Sequence, residues 1–176
     1  MNAQSIKNKS ILFILPAKDF NTIEYLNTKQ HLEKAGYKVF IASDAFALCT
    51  GMDGLKVRAD VSLYNTNEEN FAALVFIGGT GVSKYWGNSR LHSLAQKFSK
   101  SGKPVAAICS APVILAKAGL LSGLTATCFP DNRKELEREG AVYSDNSLVA
   151  DNNFITAKDS SSAEEFAEKI IFQLSK

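Results

Sequence analysis

The 176-residue chain has few of the residues that specialised architectures need. It contains three cysteines, four prolines, two histidines and one tryptophan. Three widely spaced cysteines without a C-x-x-C pair do not indicate a disulfide framework or a zinc site. A chain of this length buries roughly 70% of its unfolded surface and needs no such cross-link. We therefore expect a single domain over residues 1–176, with residues 1–9 flexible and the protein in a reducing cytoplasm.

Long hydrophobic runs and an excess of one charge are also missing. The first apolar run, Ile11–Leu15, has five residues, whereas a membrane span needs roughly 20. Lysine and arginine number 20 against 18 acidic residues, which gives a net charge of +2. This balance provides no electrostatic reason to expect nucleic acid or an anionic membrane as a partner.

Short apolar runs alternate along the chain with longer helical patterns. The runs are continuous rather than alternating, which is typical of strands covered on both faces of a parallel sheet. The order predicts a doubly wound α/β sandwich, a mostly parallel sheet with helices on both faces. The segment Phe46–Leu63 interrupts the order, and its Thr50-Gly51 and Asp53-Gly54 pairs predict a small hairpin or an excursion from the sheet. The predicted strands are Ser10–Leu15, Tyr37–Ala42, Phe71–Ile77, Pro104–Ile108, Leu124–Cys128 and Asn153–Thr156, and the predicted helices are Thr22–Ala35, Leu91–Ser101, Ala111–Ala118, Asp131–Glu139 and Ala163–Leu174.

Two predicted helices have recognisable end signals. Gly36 follows the first helix at a position typical of a C-terminal cap. Ser161 and Ser162 each precede a glutamate by three residues, the spacing of a capping box before the last helix.

The strongest chemical motif is the sequence Ala-Ile-Cys-Ser-Ala-Pro at 107–112. A nucleophile on a sharp strand-to-helix turn needs small residues two positions before and after it, and Ala107 and Ala111 satisfy this. Cys109 would then lie at a helix N-terminus, which favours the thiolate and predicts a lowered pKa. The alternative is a buried cysteine that ends a core strand.

Two further features follow predicted strands at the same edge of the sheet. The pair Gly78-Gly79 predicts either a tight turn or a close backbone approach, in which the N–H groups of Gly79 and Ser110 form an oxyanion pocket beside Cys109. Glu24 begins the first helix, and near Phe20 its carboxyl could be desolvated and share a proton with Cys109. Alternatively, Glu24 completes a capping box with Asn21.

The remaining cysteines and histidines give weaker signals. Cys128 is either a core residue or a resolving thiol for oxidised Cys109, and Cys49 has no predicted partner. His31 and His92 are not adjacent in sequence to the strand-to-helix turn, or elbow, at Cys109. We therefore expect them to lie at the surface or to pack against neighbouring side chains. A cysteine peptidase or amidase would require one of them to reach Cys109.

The motifs at Glu24, Gly78-Gly79 and Val105–Pro112, in this order along the chain, resemble the DJ-1/PfpI superfamily. The resemblance extends over about Ser10 to Leu174, and it implies a flavodoxin-like fold related to class I glutamine amidotransferase domains. It implies that Cys109 is the reactive elbow cysteine and Glu24 its hydrogen-bond partner, with Gly79 and Ser110 as backbone donors. Supporting positions at the same site are Gly78, Phe129 and Cys128. The resemblance also implies a homodimer with the site near the interface.

Two positions depart from the pattern of the family. Ser110 follows the cysteine where the protease-like branch has histidine, and Phe129 stands where the glyoxalase or deglycase branch often has histidine. The resemblance therefore implies a role in oxidative-stress response or chemistry on a small electrophile, of the glyoxalase, deglycase or hydratase type, without a metal or cofactor. The alternatives are a redox-regulated chaperone or sensor that responds to an oxidant without turnover and, with less support, an intracellular peptidase.

Overall fold

The computed structural model describes residues 9–44 and 48–176. Within these ranges the strands, numbered in chain order, are β1 Ser10–Ile14, β2 Lys18–Phe20, β3 Lys38–Ser43, β4 Leu48–Gly51, β5 Lys56–Arg58, β6 Val61–Ser62, β7 Ala73–Phe76, β8 Val105–Ile108, β9 Thr125–Ala126, β10 Val142–Tyr143, β11 Leu148–Asp151 and β12 Phe154–Ala157. The helices are α1 Thr22–Lys34, α2 Ser89–Lys100, α3 Pro112–Lys117, α4 Arg133–Arg138 and α5 Ala163–Leu174.

Seven strands form one twisted sheet in the order β11-β12-β8-β7-β1-β3-β6. Every pairing in it is parallel except the hairpin of β11 with β12. The chain moves from β1 outward to β3 and then returns to β7 on the other side of β1. This reversal is a topological switch point, and ligands of such folds bind at the carboxyl ends of the strands beside it.

Both faces of the sheet are covered by helices. Residues of β1 alternate between two hydrophobic clusters, with Ile11 and Phe13 facing one cluster and Leu12 and Ile14 the other. Helices α1 and α5 cover the first face, and α2, α3 and α4 cover the second. The predicted doubly wound, flavodoxin-like α/β sandwich is confirmed, because these strands are buried on both sides and have no polar face.

The irregular segment after β3 forms the predicted hairpin. Strands β4 and β5 pair in antiparallel fashion around Met52–Leu55, and the turn is held by the Gly54 N–H, which donates to Gly51 O at 3.0 Å. Residues 46 and 47 of the predicted segment lie outside the described residues. The sequence did not predict β2, which pairs in parallel with β4 beside the first helix.

Several predicted ends and segments differ from the structure. The predicted strand Leu124–Cys128 is reduced to β9, which pairs only with β10 and lies outside the main sheet. The capping box before the last helix is wrong: Ser162 makes no capping bond, and Asp159 instead accepts from Ser161 N and its hydroxyl. Gly36, by contrast, follows α1 with φ +89°, as a glycine at a helix end requires. The segment 1–9, expected to be flexible, lies outside the described residues except for Lys9, whose carbonyl accepts from Lys38 N.

Candidate active site

Cys109 lies on a strained turn between β8 and α3. Its φ of +64° places a non-glycine residue in the left-handed region, which costs about 1–2 kcal/mol and persists only where the surroundings enforce it. The Cys109 N–H donates to Ala157 O at 2.9 Å, and the Ala111 N–H donates to Ile108 O at 3.1 Å. Ala107 and Ala111 are fully buried. This is the geometry expected of a nucleophile elbow.

Glu24 lies in the first turn of α1, but its side chain does not cap that helix. Asn21 is the cap, and its side-chain oxygen accepts from the N–H groups of Ile23 and Glu24. The Glu24 carboxyl is fully buried, and its Oε2 accepts from Gly78 N at 2.9 Å. Oε1 has no hydrogen-bond partner of normal geometry among the described residues. The capping-box alternative is therefore excluded, and the carboxyl points toward Gly78 at the end of β7.

Gly78 lies between the elbow and the glutamate. A Cβ at this position would lie 2.6 Å from the Cys109 Cβ and 2.6 Å from Glu24 Oε2, which is closer than real Cβ contacts. The three loops at the ends of β1, β7 and β8 can therefore meet only because residue 78 lacks a side chain. The sequence placed these loops at one sheet edge, and the structure brings Glu24, Gly78 and Cys109 into direct contact.

Gly79 provides a backbone donor to the sulfur. Its N–H forms a hydrogen bond to the Cys109 side chain, which favours the charged form of the thiol. Its φ is +118°, and a Cβ added to it would lie 2.3 Å from Asp19 O, so a larger residue has no room here. The Gly79 N–H therefore lies beside the Cys109 sulfur, and its role as an oxyanion donor stays a prediction.

The pKa of Glu24 is raised from 4.5 to about 8. Burial of the carboxyl is the largest cause, and the negative charge of Asp159 adds to it, while hydrogen bonds from Cys109 and Gly78 act in the opposite direction. At neutral pH the carboxyl is mostly protonated. A protonated carboxyl can donate as well as accept, and the Glu24 side chain is hydrogen-bonded to Cys109.

The expectation of a lowered Cys109 pKa is wrong. Burial raises the pKa of this thiol to about 12, and the charge of Glu24 is the second cause. Cys109 is only 8% exposed, and α3 begins three residues later and is six residues long. The partial charge at the end of so short a helix does not offset the loss of hydration. The carboxyl and the thiol thus form one coupled pair that holds its protons at neutral pH.

Ser110 lies at the partly exposed side of the elbow. Its Oγ is 3.8 Å from the Cys109 sulfur, and its carbonyl accepts from the indole N–H of Trp86 at 2.9 Å. The serine therefore places a neutral hydroxyl where the protease-like branch of the resembled superfamily has an imidazole.

Phe129 and Cys128 lie differently with respect to Cys109. The Phe129 N–H donates to Cys109 O at 2.8 Å, and its ring is 38% exposed. Cys128 is fully buried, and burial followed by the charge of Glu137 raises its pKa to about 12. Cys109 and Cys128 pack into clusters on opposite faces of the sheet, so the structure favours the core interpretation of Cys128 over a resolving thiol.

The two histidines bond to groups other than Cys109. His31 lies on α1, where its ring contacts Asn27 O at 2.8 Å and Glu164 at 3.3 Å. The ring of His92 bonds to Trp86 O at 2.7 Å. Neither arrangement is that of a general base for the thiol, which removes the main support for a peptidase.

Sequence reasoning missed two residues at the site. Asp159, which follows β12, raises the pKa of Glu24. The sequence did not indicate this residue because the neighbouring serines matched a capping box instead. Trp86 follows the helical turn Thr80–Tyr85 and bonds to the elbow. The presence of a single tryptophan close after Gly78-Gly79 was the only sequence signal for it.

The described residues hold neither a cluster of metal ligands nor a membrane-spanning helix. Across residues 9–44 and 48–176, no three His, Cys, Asp or Glu side chains are grouped as metal ligands would be. Within this part of the chain, no helix combines the length and apolar character needed to span a bilayer.

Relatives from several organisms match most of this chain in sequence. It is 35% identical over 176 residues to an uncharacterized protein of Methanocaldococcus jannaschii, covering 98% of this chain and 86% of that protein. A deglycase of Pyrococcus horikoshii is 34% identical over 148 residues, covering 84% of this chain and 89% of the relative.

Solved structures agree with these sequence matches. A ThiJ/PfpI domain protein of Brachyspira murdochii superposes with a TM-score of 0.93 at 29% identity, covering 95% of this chain and 96% of the other. DJ-1beta of Drosophila melanogaster superposes with a TM-score of 0.86 at 32% identity, covering 94% and 90% of the two chains. The model of the DJ-1/PfpI family matches residues 9–173. The chain belongs to the DJ-1/PfpI family.

Proposed function

We propose that this protein acts on small reactive electrophiles, with aldehydes as the first substrate class, through Cys109 and Glu24. The observation that carries the proposal is the buried carboxyl of Glu24, which is bonded to Gly78 N and lies against the elbow cysteine with a pKa of about 8. A carboxyl with a pKa near the working pH can both accept and return a proton. Relatives named deglycases, at 31% to 34% identity, support carbonyl chemistry.

The first step joins the sulfur to the carbonyl carbon. About a tenth of Glu24 is ionised at neutral pH, given its pKa of about 8. The ionised carboxylate takes the thiol proton of Cys109, the sulfur electron pair forms the bond to carbon, and the carbonyl π electrons move to the oxygen. The N–H groups of Gly79 and Ser110 hold that oxygen, and Glu24 returns the proton to it, which gives a neutral thiohemiacetal.

The surroundings of the site favour a small and uncharged substrate. Cys109 is 8% exposed, and the Ser110 hydroxyl lies 3.8 Å from its sulfur. A peptide would need an imidazole to protonate its amine leaving group, and both histidines bond elsewhere. Hydratase-like chemistry on an isonitrile would use the same thiol, acid and hydroxyl. An isonitrile is therefore one of the substrates to be tested.

A redox sensor is the second candidate, and the Gly79 N–H on the sulfur favours it. A peroxide would oxidise the thiol to a sulfenate and then to a sulfinate, with loss of water at each step. The same backbone donors and the protonated Glu24 would hold the sulfinate oxygens.

We also propose that the protein forms a homodimer, with the site near the interface. Ile23 and Met52 are 57% and 53% exposed, and both line an open groove of about 210 Å³ with Asn21, Thr22 and Asp53. The groove adjoins the first turn of α1, which carries Glu24. Covering two large apolar side chains removes them from water and favours association.

The deciding experiment is a turnover assay with methylglyoxal, a glycated amino acid and an isonitrile. The wild-type protein should consume at least one of them, and Cys109→Ser should abolish this. Lys84→Ala, an exposed residue of the turn before Trp86, is the control. Equal turnover by Cys109→Ser would contradict the proposal. Absence of turnover together with selective peroxide oxidation of Cys109 would favour the sensor.

A further inference from the structure

Trp86 is the only tryptophan of the chain and bonds directly to the elbow. It follows the helical turn Thr80–Tyr85, which begins directly after Gly79. Its partly buried indole N–H donates to the carbonyl of Ser110 at 2.9 Å. The loop that carries one backbone donor, Gly79, is therefore tied to the residue that carries the other.

The Ser110 N–H belongs to a peptide unit that is held at its opposite end. That unit also contains the Cys109 carbonyl, which accepts from Phe129 N at 2.8 Å. Because the peptide unit is planar, fixing the carbonyl fixes the direction of the N–H. The next unit contains the Ser110 carbonyl, held by Trp86, and the Ala111 N–H, held by Ile108 O. The backbone on both sides of Ser110 is thus determined by these bonds.

The bonds around Ser110 matter because the neighbouring residue, Cys109, has a strained backbone. A non-glycine residue at φ +64° relaxes toward the ordinary region unless its neighbours prevent it. Such a relaxation would rotate the Ser110 N–H away from a developing oxyanion. The indole bond lies one residue beyond the strained position and holds the next peptide unit, which would have to move together with the one that carries the Ser110 N–H.

His92 holds Trp86 in turn. Its Nε2 is 2.7 Å from the Trp86 carbonyl, and because a carbonyl can only accept, Nε2 carries the proton of this bond. His92 lies in the first turn of α2. Asn88 caps this helix, and the N–H of Asn88 donates to Tyr85 O. A chain of hydrogen bonds therefore runs from α2 through Trp86 to Ser110.

We propose that Trp86, held in place by His92, is a positioning residue that orients the Ser110 N–H toward the oxygen of the bound substrate. This role rests on the proposed function, since the oxyanion forms only when Cys109 adds to a carbonyl. It extends the site to two residues that do not touch the sulfur. It also gives a second function to His92, which the sequence placed at the surface or in packing.

The test compares two reactions of the same thiol. Addition of methylglyoxal creates an oxyanion, whereas alkylation by iodoacetamide displaces iodide and creates none. Trp86→Phe keeps the ring and removes the N–H donor. It should slow aldehyde addition to Cys109 about five- to tenfold relative to alkylation, the effect of one neutral hydrogen bond. Lys84→Ala should leave the ratio of the two rates unchanged.

Variants of His92 separate positioning from packing. His92→Phe removes the donor to Trp86 O and should lower the same ratio, and His92→Gln, which keeps an N–H donor, should restore it. Backbone hydrogen exchange at Ser110, followed by NMR, should be faster in Trp86→Phe than in the wild type. A wild-type ratio together with wild-type exchange at Ser110 in Trp86→Phe would overturn the proposal.

The proposed function and the positioning role can fail separately. If the wild-type protein adds no aldehyde, the proposed chemistry fails, and exchange at Ser110 alone decides whether Trp86 orients this peptide. If the wild type adds the aldehyde and Trp86→Phe adds it equally fast, the chemistry stands and the positioning role is wrong.

Discussion

The backbone N–H of Gly78 donates to Oε2 of Glu24 across 54 residues of sequence at 2.9 Å. This bond satisfies Oε2, whereas Oε1 has no hydrogen-bond partner of normal geometry among the described residues. A carboxyl buried as completely as Glu24 would be unstable without such a donor. The bond thus holds the acid in position at the end of β7.

Gly78→Ala should destabilise the protein and disrupt the site. The added Cβ would lie 2.6 Å from both the Cys109 Cβ and Glu24 Oε2, and 2.7 Å from Ile108 O. Overpacking of this kind typically costs about 1–3 kcal/mol. Urea unfolding measures the loss, and Gly87→Ala is the matched control because no atom lies within 4 Å of its Cβ position. Equal stability of the two variants would contradict the close packing described at Gly78.

Glu24→Gln should remove a pH-dependent loss of stability. The folded protein holds the Glu24 proton up to a pH of about 8, whereas the unfolded chain releases it near 4.5. The folded state therefore binds more protons in this window, and wild-type stability falls as the pH rises from 4.5 to 8. The difference in unfolding free energy between variant and wild type should grow by up to about 5 kcal/mol across it.

Urea titrations at pH 5, 6, 7 and 8 measure this difference. Glu69→Gln, at an exposed position, serves as the control for the loss of a carboxyl. Parallel pH profiles for Glu24→Gln and the wild type would show that the buried carboxyl is not held neutral.

Alkylation of Cys109 should accelerate with pH well beyond neutrality. Burial and the charge of Glu24 raise its pKa to about 12, so the thiolate fraction keeps increasing above pH 8. Glu24→Gln removes the charge and should move the profile toward lower pH. Iodoacetamide labelling, read by mass spectrometry of the Cys109 peptide, gives both profiles. A wild-type plateau below pH 8 would restore the low pKa expected from the elbow motif.

The sequence was sufficient to predict the sheet and the three loops that build the site. Continuous apolar runs such as Ile11–Leu15 indicated strands buried on both faces, and Gly78-Gly79 indicated where the third strand ends. The parallel arrangement then placed the loops after β1, β7 and β8 at one edge. Gly78 and Cys109 were identified because each directly follows a predicted strand, and Glu24 because it begins the helix after the first loop.

The missed features depend on distances that a linear pattern does not contain. The elbow motif indicated a helix N-terminus, but the depth of burial that raises the pKa of Cys109 results from neighbours on several elements. The Trp86 indole reaches Ser110 across 24 residues, and no spacing rule predicts such a bond. Likewise, Asn21 satisfied the helix end by itself, which freed Glu24 for the site.

Met52→Lys should weaken the proposed homodimer. Met52 is 53% exposed at the groove beside α1, and a charge there would have to lose its hydration on association. We expect the dimer dissociation constant to rise at least about tenfold, which sedimentation velocity over a concentration series would detect. Val142→Lys, at a residue that is 55% exposed on β10, is the control. Identical association of the wild type and both variants would place the interface elsewhere.

Mild peroxide should oxidise Cys109 before the other two cysteines. The three thiols are all buried, but Cys109 is 8% exposed, whereas Cys49 and Cys128 are fully buried. Burial raises the pKa of each of them, so differences in access rather than in thiolate fraction decide the order. Peptide mass spectrometry after graded peroxide should find sulfenic and sulfinic products at Cys109 first, and Cys109→Ser should leave Cys49 and Cys128 no more reactive than before. Uniform oxidation of all three cysteines would mean that the backbone opens faster than peroxide reacts, and the elbow would then have no selective role in sensing.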